Sequence, residues 1–294
     1  MSHVKEIPPQ ELRKMQLLQF DMLVEMDRVC RANGIPYTIS NGTLLGAIRH
    51  KGYIPWDDDA DTMMLRQDYE KFKQCADQLN PDICFFQDHS TDPEYRWGYG
   101  KLRRTGTEYI RAGQEHMKNK TGLFIDVFPM DDIPKSSLGQ ACMVFLSYCM
   151  RKITYSEVGR MNTTGFWRCW YSALSKIPLR FVFGVLGIYA KRSSDDSENR
   201  VTTLCMPIRR RVDPYSGEKV YGRPKKWMLE RAEYDFEGQK LFGPKDYDKC
   251  LSWQYGKNYM TPPPESQRGQ HAPVSDYSFG EAKPVYTPSM QEGE

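Results

Sequence analysis

The sequence lacks a hydrophobic run of the roughly 18–20 residues that a helix needs to cross a bilayer. Its first residues, MSHVKEIPPQELRKM, have no apolar centre, which predicts that they are not a signal peptide. A net charge of only +3 among 294 residues does not indicate a nucleic-acid partner, and we expect none. Ordinary hydrophobic (39%) and charged (27%) fractions predict a globular, cytoplasmic protein.

The sequence also lacks paired cysteines. Its eight cysteines form no CxxC motif and no spacing typical of zinc ligands. This pattern favours reduced, buried thiols over a disulfide framework.

Hydrophobic periodicity predicts an α+β fold in which a small mixed sheet carries flanking helices, as far as residue 134. Pro129 and Pro134 are predicted to end its last strand, GLFIDVFPM. Residues 135–271 are predicted to form a largely helical portion that completes a substrate site. Residues 272–294, rich in Pro, Ser and Gly, predict a disordered tail.

Four carboxylates stand within five residues after a glycine turn: Asp57, Asp58, Asp59 and Asp61. Like charges this close repel, so a positive group is expected among them. A solvated acidic loop is the simplest interpretation, although Trp56 and an apolar strand flank the run. A calcium loop is disfavoured, because its required glycine and glutamate are replaced by Thr62 and Asp68.

A divalent-metal site is the third interpretation. Residues two apart in a strand share a face, so Asp59 and Asp61 are predicted to project together while Ala60 faces the core. Asp126 is the one charge within LFIDVFPM, and a buried carboxylate needs a metal or another cation as partner. Mg²⁺ or Mn²⁺ held by Asp59, Asp61 and Asp126 would satisfy all three.

The turn before the acidic run adds a second feature. SNGTLLGAIRH is predicted to run from strand through glycine turn to helix, which leaves backbone N–H groups free to bind phosphate. A phosphate cradle beside metal-binding carboxylates is typical of phosphoryl or nucleotidyl transfer.

These blocks resemble the LicD family of the nucleotidyltransferase superfamily, which includes the fukutin-like proteins. The resemblance rests on NGTLLGAIRHKGYIPWDDDAD, RQDYEKF, KLRRTGT, FIDVFPMDDIP and the C-terminal block from LFGPKDYDKC to QRGQH. It spans roughly residues 12 to 271. Ala60 and Thr62 replace aliphatic residues that the family commonly has there, which leaves the acidic residues intact.

The resemblance implies that Gly42 and Thr43 form the turn that holds nucleotide phosphates. It implies that Asp59, Asp61 and Asp126 bind the metal, with Asp126 or Asp57 orienting or deprotonating the acceptor hydroxyl. The implied reaction transfers a phosphoalcohol, such as phosphocholine, from a CDP-activated donor such as CDP-choline with release of CMP. The implied acceptor is a lipid-linked or soluble precursor of teichoic acid, lipopolysaccharide or capsule.

Two further groups of residues are candidates for substrate binding. The cations that could neutralise phosphate are Arg49, Lys51, Arg66, Lys101 and Arg103, with Arg268 and His271 closing over the donor. The aromatic residues that could enclose a choline ammonium through cation–π attraction are Trp56, Tyr95, Trp97 and Tyr99.

Two alternatives to this function stay open at the level of sequence. One is an Asp-x-Asp glycosyltransferase that uses a nucleotide sugar. The other is a non-catalytic glycan-binding protein on the same fold.

The stretch IPLRFVFGVLGIYAKR, residues 177–192, also has two interpretations. A buried packing helix is favoured, since the stretch is too short to span a bilayer. The alternative is an interfacial anchor in which Arg180, Lys191 and Arg192 attract anionic lipid, which would place the protein peripherally at the inner face of a membrane.

Overall fold

The computed structural model describes residues 4–190, 196–269 and 273–286. The helices are α1 Pro9–Ala32, α2 Asn41–His50, α3 Arg66–Gln74, α4 Ser137–Thr154, α5 Ser156–Asn162, α6 Gly165–Leu174, α7 Leu179–Ala190, α8 Lys226–Leu229 and α9 Tyr247–Tyr255. The strands are β1 Thr38–Ile39, β2 Asp61–Leu65, β3 Cys84–Gln87, β4 Gly100–Arg104, β5 Glu108–Arg111, β6 Phe124–Asp132, β7 Arg200–Thr202, β8 Arg210–Val212, β9 Lys219–Tyr221, β10 Arg223–Pro224, β11 Arg231–Phe236, β12 Gln239–Pro244 and β13 Val274–Ser278.

The main sheet has the strand order β1-β2-β6-β4-β3, and β7 and β10 extend it at the far end of β6. Only β2 and β6 are parallel in this order; the other neighbours are antiparallel. Helices and a mixed sheet therefore occur together, which confirms the predicted α+β class. The predicted domain boundary at residue 134 stays a prediction.

Helix α1 lies across β4 and β6. Its apolar side chains recur at three- and four-residue steps, the pattern of an amphipathic helix, and are buried: Leu12, Met15, Leu18, Met22, Met26 and Val29. The same helix also buries two glutamines, Gln16 and Gln19, which the apolar periodicity did not predict. Their side-chain amides donate hydrogen bonds to backbone carbonyls of the acidic run.

Strand β6 continues through Pro129 to Asp132, so the prediction that Pro129 ends this strand is wrong. Asp126 donates its N–H to Ala60, towards β2. Residue 129, three positions on, directs its nitrogen to the opposite side, where the pairing of β4 has already ended at Gly100. Pro129 therefore removes no ladder hydrogen bond, as expected for proline beside an open edge.

Residues 137–190 are helical as predicted, and two hairpins follow them, β8–β9 and β11–β12. The predicted disordered tail is wrong for residues 273–286. Strand β13 pairs with β5, and Val274 is fully buried. The carboxylate of Asp21 accepts hydrogen bonds from the backbone N–H groups of Val285 and Tyr286, which fixes the chain beyond the strand.

All eight cysteines are free thiols in the structure, as predicted. The prediction that they are buried is wrong for Cys142 and Cys169, which are exposed on α4 and α6. Within the described ranges, no single helix is long and apolar enough to cross a membrane. Segments Gly165–Leu174 and Leu179–Ile188, which are bent by 66° relative to one another, meet the length and composition requirement only as a pair.

Candidate active site

Three charged side chains lie in a row across the middle of the sheet. Asp61 begins β2 and is in register with Asp126 on the parallel strand β6. Asp126 is in register with Lys101 on the antiparallel strand β4. Residues in register on neighbouring strands project to the same face. We call Asp61, Asp126 and Lys101 the charged row.

The two carboxylates of the charged row repel one another. Burial, followed by repulsion from Asp126, raises the pKa of Asp61 to about 7. The amide of Asn41 opposes this effect by donating a hydrogen bond of 3.0 Å to Asp61 Oδ2. Asp61 is thus a carboxyl group whose ionised form needs additional positive charge nearby.

Lys101 is the cation that the sequence required beside Asp126. Its buried ammonium donates a short hydrogen bond to the Asp126 carboxylate and lies 3.3 Å from the centroid of the Phe124 ring. Burial lowers the pKa of Lys101 to about 7, and the attraction of Asp126 opposes that shift. The sequence placed Lys101 in the site but did not predict this ion pair.

Two glutamines of α1 hold the backbone of the acidic run. Gln16 Nε2 donates to the carbonyl of Asp57 at 2.9 Å. Gln19 Nε2 donates to the carbonyls of Asp58 at 2.8 Å and Phe124 at 3.2 Å, and so joins the run to β6. Asp57 and Asp58 are each only 3% exposed. The solvated-loop interpretation is therefore wrong for these two residues.

The glycine turn is joined to the same strand. Ser40 N–H donates to the carbonyl of Asp61 at 3.0 Å, and Asp61 N–H donates to Thr43 Oγ1 at 2.8 Å. A Cβ on Gly42 would lie 2.4 Å from Asp57 Oδ2. The turn and the acidic run consequently have little freedom to separate.

Gly42→Ala should therefore lower both stability and activity. The added methyl must displace the Asp57 carboxylate, which we expect to cost about 1–3 kcal/mol in the free energy of unfolding. Turnover should fall at least about tenfold, since a displaced reacting group loses its alignment. Gly184→Ala on α7 is the matched control, because nothing lies within 4 Å of its added Cβ. Equal turnover in both variants would show that the Gly42 contact is unimportant.

Whether these residues fit a metal can be judged from the charged row. Asp61 and Asp126 face one another with unfavourable repulsion, which a divalent cation with oxygen ligands would relieve. Asp59 lies before the start of β2 and is partly exposed. In the described part of the chain, no three His, Cys, Asp or Glu side chains are grouped as a metal site. The pair fits a divalent ion, and the set of three ligands stays a prediction.

One group of cations surrounds the ring of Phe124. The guanidinium groups of Arg103 and Arg111 lie 5.2 Å and 5.0 Å from the ring centroid, and Lys101 contacts the same ring. We call Lys101, Arg103 and Arg111 the cation cluster. It lines a pocket together with Trp97 and Tyr99. Arg111 is not among the residues predicted from the sequence, because the position of β5 beside the site could not be inferred from the chain order.

A second group of cations lines a cavity of about 310 Å³ next to the charged row. Asn41, Met63 and Phe128 form one wall, and none of its described lining residues is acidic. Its cations are Arg209, Arg211 and Arg223. We call this cavity the arginine pocket. None of the three arginines was predicted from the sequence, since they follow the helices in a polar stretch whose composition is typical of turns.

A third cavity, of about 320 Å³, opens on the other side of the glycine turn. Gly42, Asp57, Trp56 and Arg49 line it. Arg268 lies 4.7 Å from the centroid of the Trp56 ring, so two of the predicted cations meet here. His271 lies outside the described residues.

Two predicted phosphate ligands lie elsewhere. Arg66 follows the last residue of β2, at the opposite end from Asp61, and its guanidinium forms a buried two-pronged ion pair with Asp131 at 2.8 Å. Lys51 is exposed at the end of α2, one helix length of about 15 Å from the glycine turn. The structure therefore places neither residue beside the glycine turn: Arg66 is held by Asp131 and Lys51 is on the surface.

The four aromatic residues do not form one cage. Trp97 and Tyr99 line the pocket of the cation cluster, whereas Trp56 lines the cavity beyond the glycine turn. Tyr95 is fully buried and offers no surface to a ligand. Only Trp97 and Tyr99 are placed to contact one ligand group together.

Comparison with known proteins agrees with this geometry. Residues 34–173, which carry the glycine turn and the whole charged row, match the family described as LicD/FKTN/FKRP, nucleotidyltransferase domain. Residues 34–173 form a LicD-family domain. The resemblance drawn from the sequence is thereby confirmed.

Relatives of this chain extend the similarity beyond residues 34–173. The lipopolysaccharide cholinephosphotransferase LicD of Haemophilus influenzae is 25% identical over 279 residues, which cover 88% of this chain and 96% of the relative. An uncharacterised protein of Rickettsia prowazekii is 28% identical over 122 residues, 42% of each chain. The first similarity therefore extends well beyond residues 34–173.

Proposed function

We propose that this protein is a metal-dependent phosphotransferase. It moves a phosphoalcohol resembling phosphocholine from a CDP-activated donor to a sugar hydroxyl of a cell-surface glycan precursor. The observation that carries the proposal is the charged row, in which two facing carboxylates lie beside a phosphate-binding turn in a LicD-family domain. The similarity to the Haemophilus cholinephosphotransferase supports phosphocholine as the group transferred.

The donor diphosphate binds at the N-terminus of α2, where the N–H groups of the glycine turn are available to its oxygens. Asp61 and Asp126 would hold Mg²⁺ or Mn²⁺, with Asp59 as the third carboxylate. When bound, the ion would supply positive charge to the diphosphate and to the departing CMP. Asn41 keeps the Asp61 carboxylate oriented through its hydrogen bond.

The cations of this chain have two separate tasks in the proposal. The cation cluster neutralises the phosphoryl group during transfer, because Lys101 belongs to the charged row itself. The arginine pocket neutralises a second anionic part of the substrates, since it opens beside Met63 and Phe128, the residues two positions beyond Asp61 and Asp126. Trp97 and Tyr99 offer aromatic faces to the alcohol of the donor.

Asp57 is the proposed general base. Its carboxylate lies against Gly42, and it lines the cavity that also contains Trp56 and Arg49. An acceptor hydroxyl in that cavity would be close to the phosphate-binding turn. Asp57 would accept the proton of this hydroxyl as the new phosphodiester bond forms and the bond to CMP breaks.

The product of turnover tests the reaction class. With Mg²⁺ and a CDP-activated alcohol, the protein should release CMP, and chelation of the metal should stop the release. CDP-choline, CDP-glycerol, CDP-ribitol and CDP-ethanolamine are compared by thermal shift, because a ligand that binds only the folded state raises the melting temperature. The true donor should give the largest increase, and only with the metal.

Two outcomes would contradict this proposal. Release of UDP or GDP from a nucleotide sugar would identify a glycosyltransferase instead. A protein that binds neither Mg²⁺ nor Mn²⁺ and gains no stability from any nucleotide would be a non-catalytic glycan-binding protein.

A further inference from the structure

Helices α6 and α7 expose an unusual amount of apolar and aromatic surface. On α6, Phe166, Trp167 and Trp170 are 71%, 57% and 46% exposed, and on α7, Phe181 and Ile188 are 60% and 56% exposed. We call these five residues the apolar face. Large apolar side chains this exposed, on two helices that follow one another in the chain, indicate a binding surface.

Only one side of α7 is used for packing. Val182 and Leu186 are buried against α4, and Phe183 stacks on His89 with ring centroids 3.8 Å apart. The buried-helix interpretation is therefore correct for that side, while Phe181 and Ile188 lie on the exposed side. Tyr171 is the one residue of α6 that is buried.

The charge around the apolar face has one sign. Residues 133–190 contain seven Lys or Arg and a single acid, Glu157, which pairs with Arg160. Arg168, Lys176 and Arg180 are exposed next to the apolar face, and none of them pairs with a carboxylate in the described ranges. A protein partner would need acidic residues placed around its apolar contact surface to match these cations. An anionic bilayer presents negative charge over a continuous plane.

The composition and length of the pair also favour a lipid surface. Tryptophan prefers the interface between water and hydrocarbon, and α6 has two exposed tryptophans within four residues. Neither helix is long enough to span a bilayer, and the two are bent by 66° relative to one another. Short helices with an apolar side and flanking cations lie in the interface instead.

We propose that α6 and α7 bind the surface of an anionic membrane, with the apolar face inserted at the level of the headgroups. Arg168, Lys176 and Arg180 contact lipid phosphates around it. This surface is independent of the proposed reaction chemistry. It is nevertheless close to the site, since Leu186 of α7 lies against Gly98, which precedes β4 and Lys101.

Co-sedimentation with lipid vesicles tests the proposal. The full-length protein should bind vesicles of phosphatidylcholine with about one third phosphatidylglycerol and bind pure phosphatidylcholine at least about tenfold more weakly. Raising the salt from about 0.1 M to about 0.5 M should weaken binding by a similar factor, because the screening length shortens. Trp167 and Trp170 should shift their fluorescence to shorter wavelength on binding.

Two variants assign the surface to its residues. Trp170→Glu with Phe181→Glu should abolish sedimentation, whereas Leu229→Glu, at an exposed apolar residue on α8, should leave it unchanged. If circular dichroism shows that the first variant is unfolded, the triple variant Arg168→Gln, Lys176→Gln and Arg180→Gln is used instead. Its vesicle binding should be at least about tenfold weaker than that of the wild type. CMP release from soluble substrates is measured in parallel, so failure of the reaction is distinguished from failure of membrane binding.

The proposal is overturned by any of three results. The first is a wild-type protein that does not sediment with anionic vesicles. The second is binding that persists in both sets of variants. The third is association of the protein with itself, lost on Trp170→Glu with Phe181→Glu, in the absence of vesicle binding; the apolar face would then be an interface between two copies.

Discussion

Asp61→Asn should reduce transfer by roughly 10³-fold or more while the fold persists, because it removes one of two charges that hold the divalent ion. Asparagine keeps the shape of the side chain, and its carbonyl oxygen can still accept the hydrogen bond of Asn41. Without metal, the variant should be at least as stable as the wild type, since the repulsion with Asp126 is relieved. Turnover with saturating Mg²⁺ and the thermal midpoint without metal check both expectations.

Asp126→Asn should be equally inactive. It should also be less stable than the wild type, for a separate reason. It leaves the buried ammonium of Lys101 without its counter-charge. Asp276→Asn is the matched control, because this exposed carboxylate forms a surface ion pair with Lys5. Near-normal turnover of Asp61→Asn in saturating Mg²⁺ would remove Asp61 from the metal site.

Local patterns predicted most of the sheet and the helices that carry the site. The patterns of DADTMML and GLFIDVFPM predicted two strands that carry Asp61 and Asp126, and the register of β2 with β6 places these two residues side by side. The glycine turn at the start of α2 was likewise recognisable from Asn41-Gly42. These features depend on residues that are neighbours in the chain, so they can be predicted from the sequence alone.

The missed features depend on pairing between distant segments. Arg111 and Arg223 reach the site only because β5 and β10 lie beside it, which no local pattern specifies. Asp131, near the end of β6, forms an ion pair with the guanidinium of Arg66. A cation within the recognised motif RQDYEKF is therefore held by a carboxylate of a distant segment. The buried glutamines of α1 are a similar case, since their partners are backbone carbonyls about 40 residues away.

The ion pair between Lys101 and Asp126 gives the sharpest test of metal binding. The Lys101 ammonium is paired with the Asp126 carboxylate and compensates its negative charge. A metal ion held by Asp61 and Asp126 would compensate the same charge. Lys101→Met leaves Asp126 buried beside Asp61 without that compensation. We expect the free energy of unfolding without metal to fall by about 3–5 kcal/mol.

Arg66→Met is the matched control for this variant. It breaks an ion pair that is equally buried, with Asp131, on the same strand as Asp126 but five residues away from the charged row. Its unfolding free energy should fall by a similar amount, about 3–5 kcal/mol. Mg²⁺ should distinguish the two variants, since Arg66→Met has no metal-binding carboxylate pair at the place of its defect.

Saturating Mg²⁺ should restore the stability of Lys101→Met by more than it stabilises the wild type, because the metal replaces the lost cation directly. The same addition should raise the stability of Arg66→Met only as much as that of the wild type. Urea titrations of all three proteins, with and without Mg²⁺, measure these differences. An equal response of Lys101→Met and Arg66→Met would mean that the metal does not bind at Asp126, whereas a selective recovery of Lys101→Met would identify the charged row as the place where the divalent ion is held.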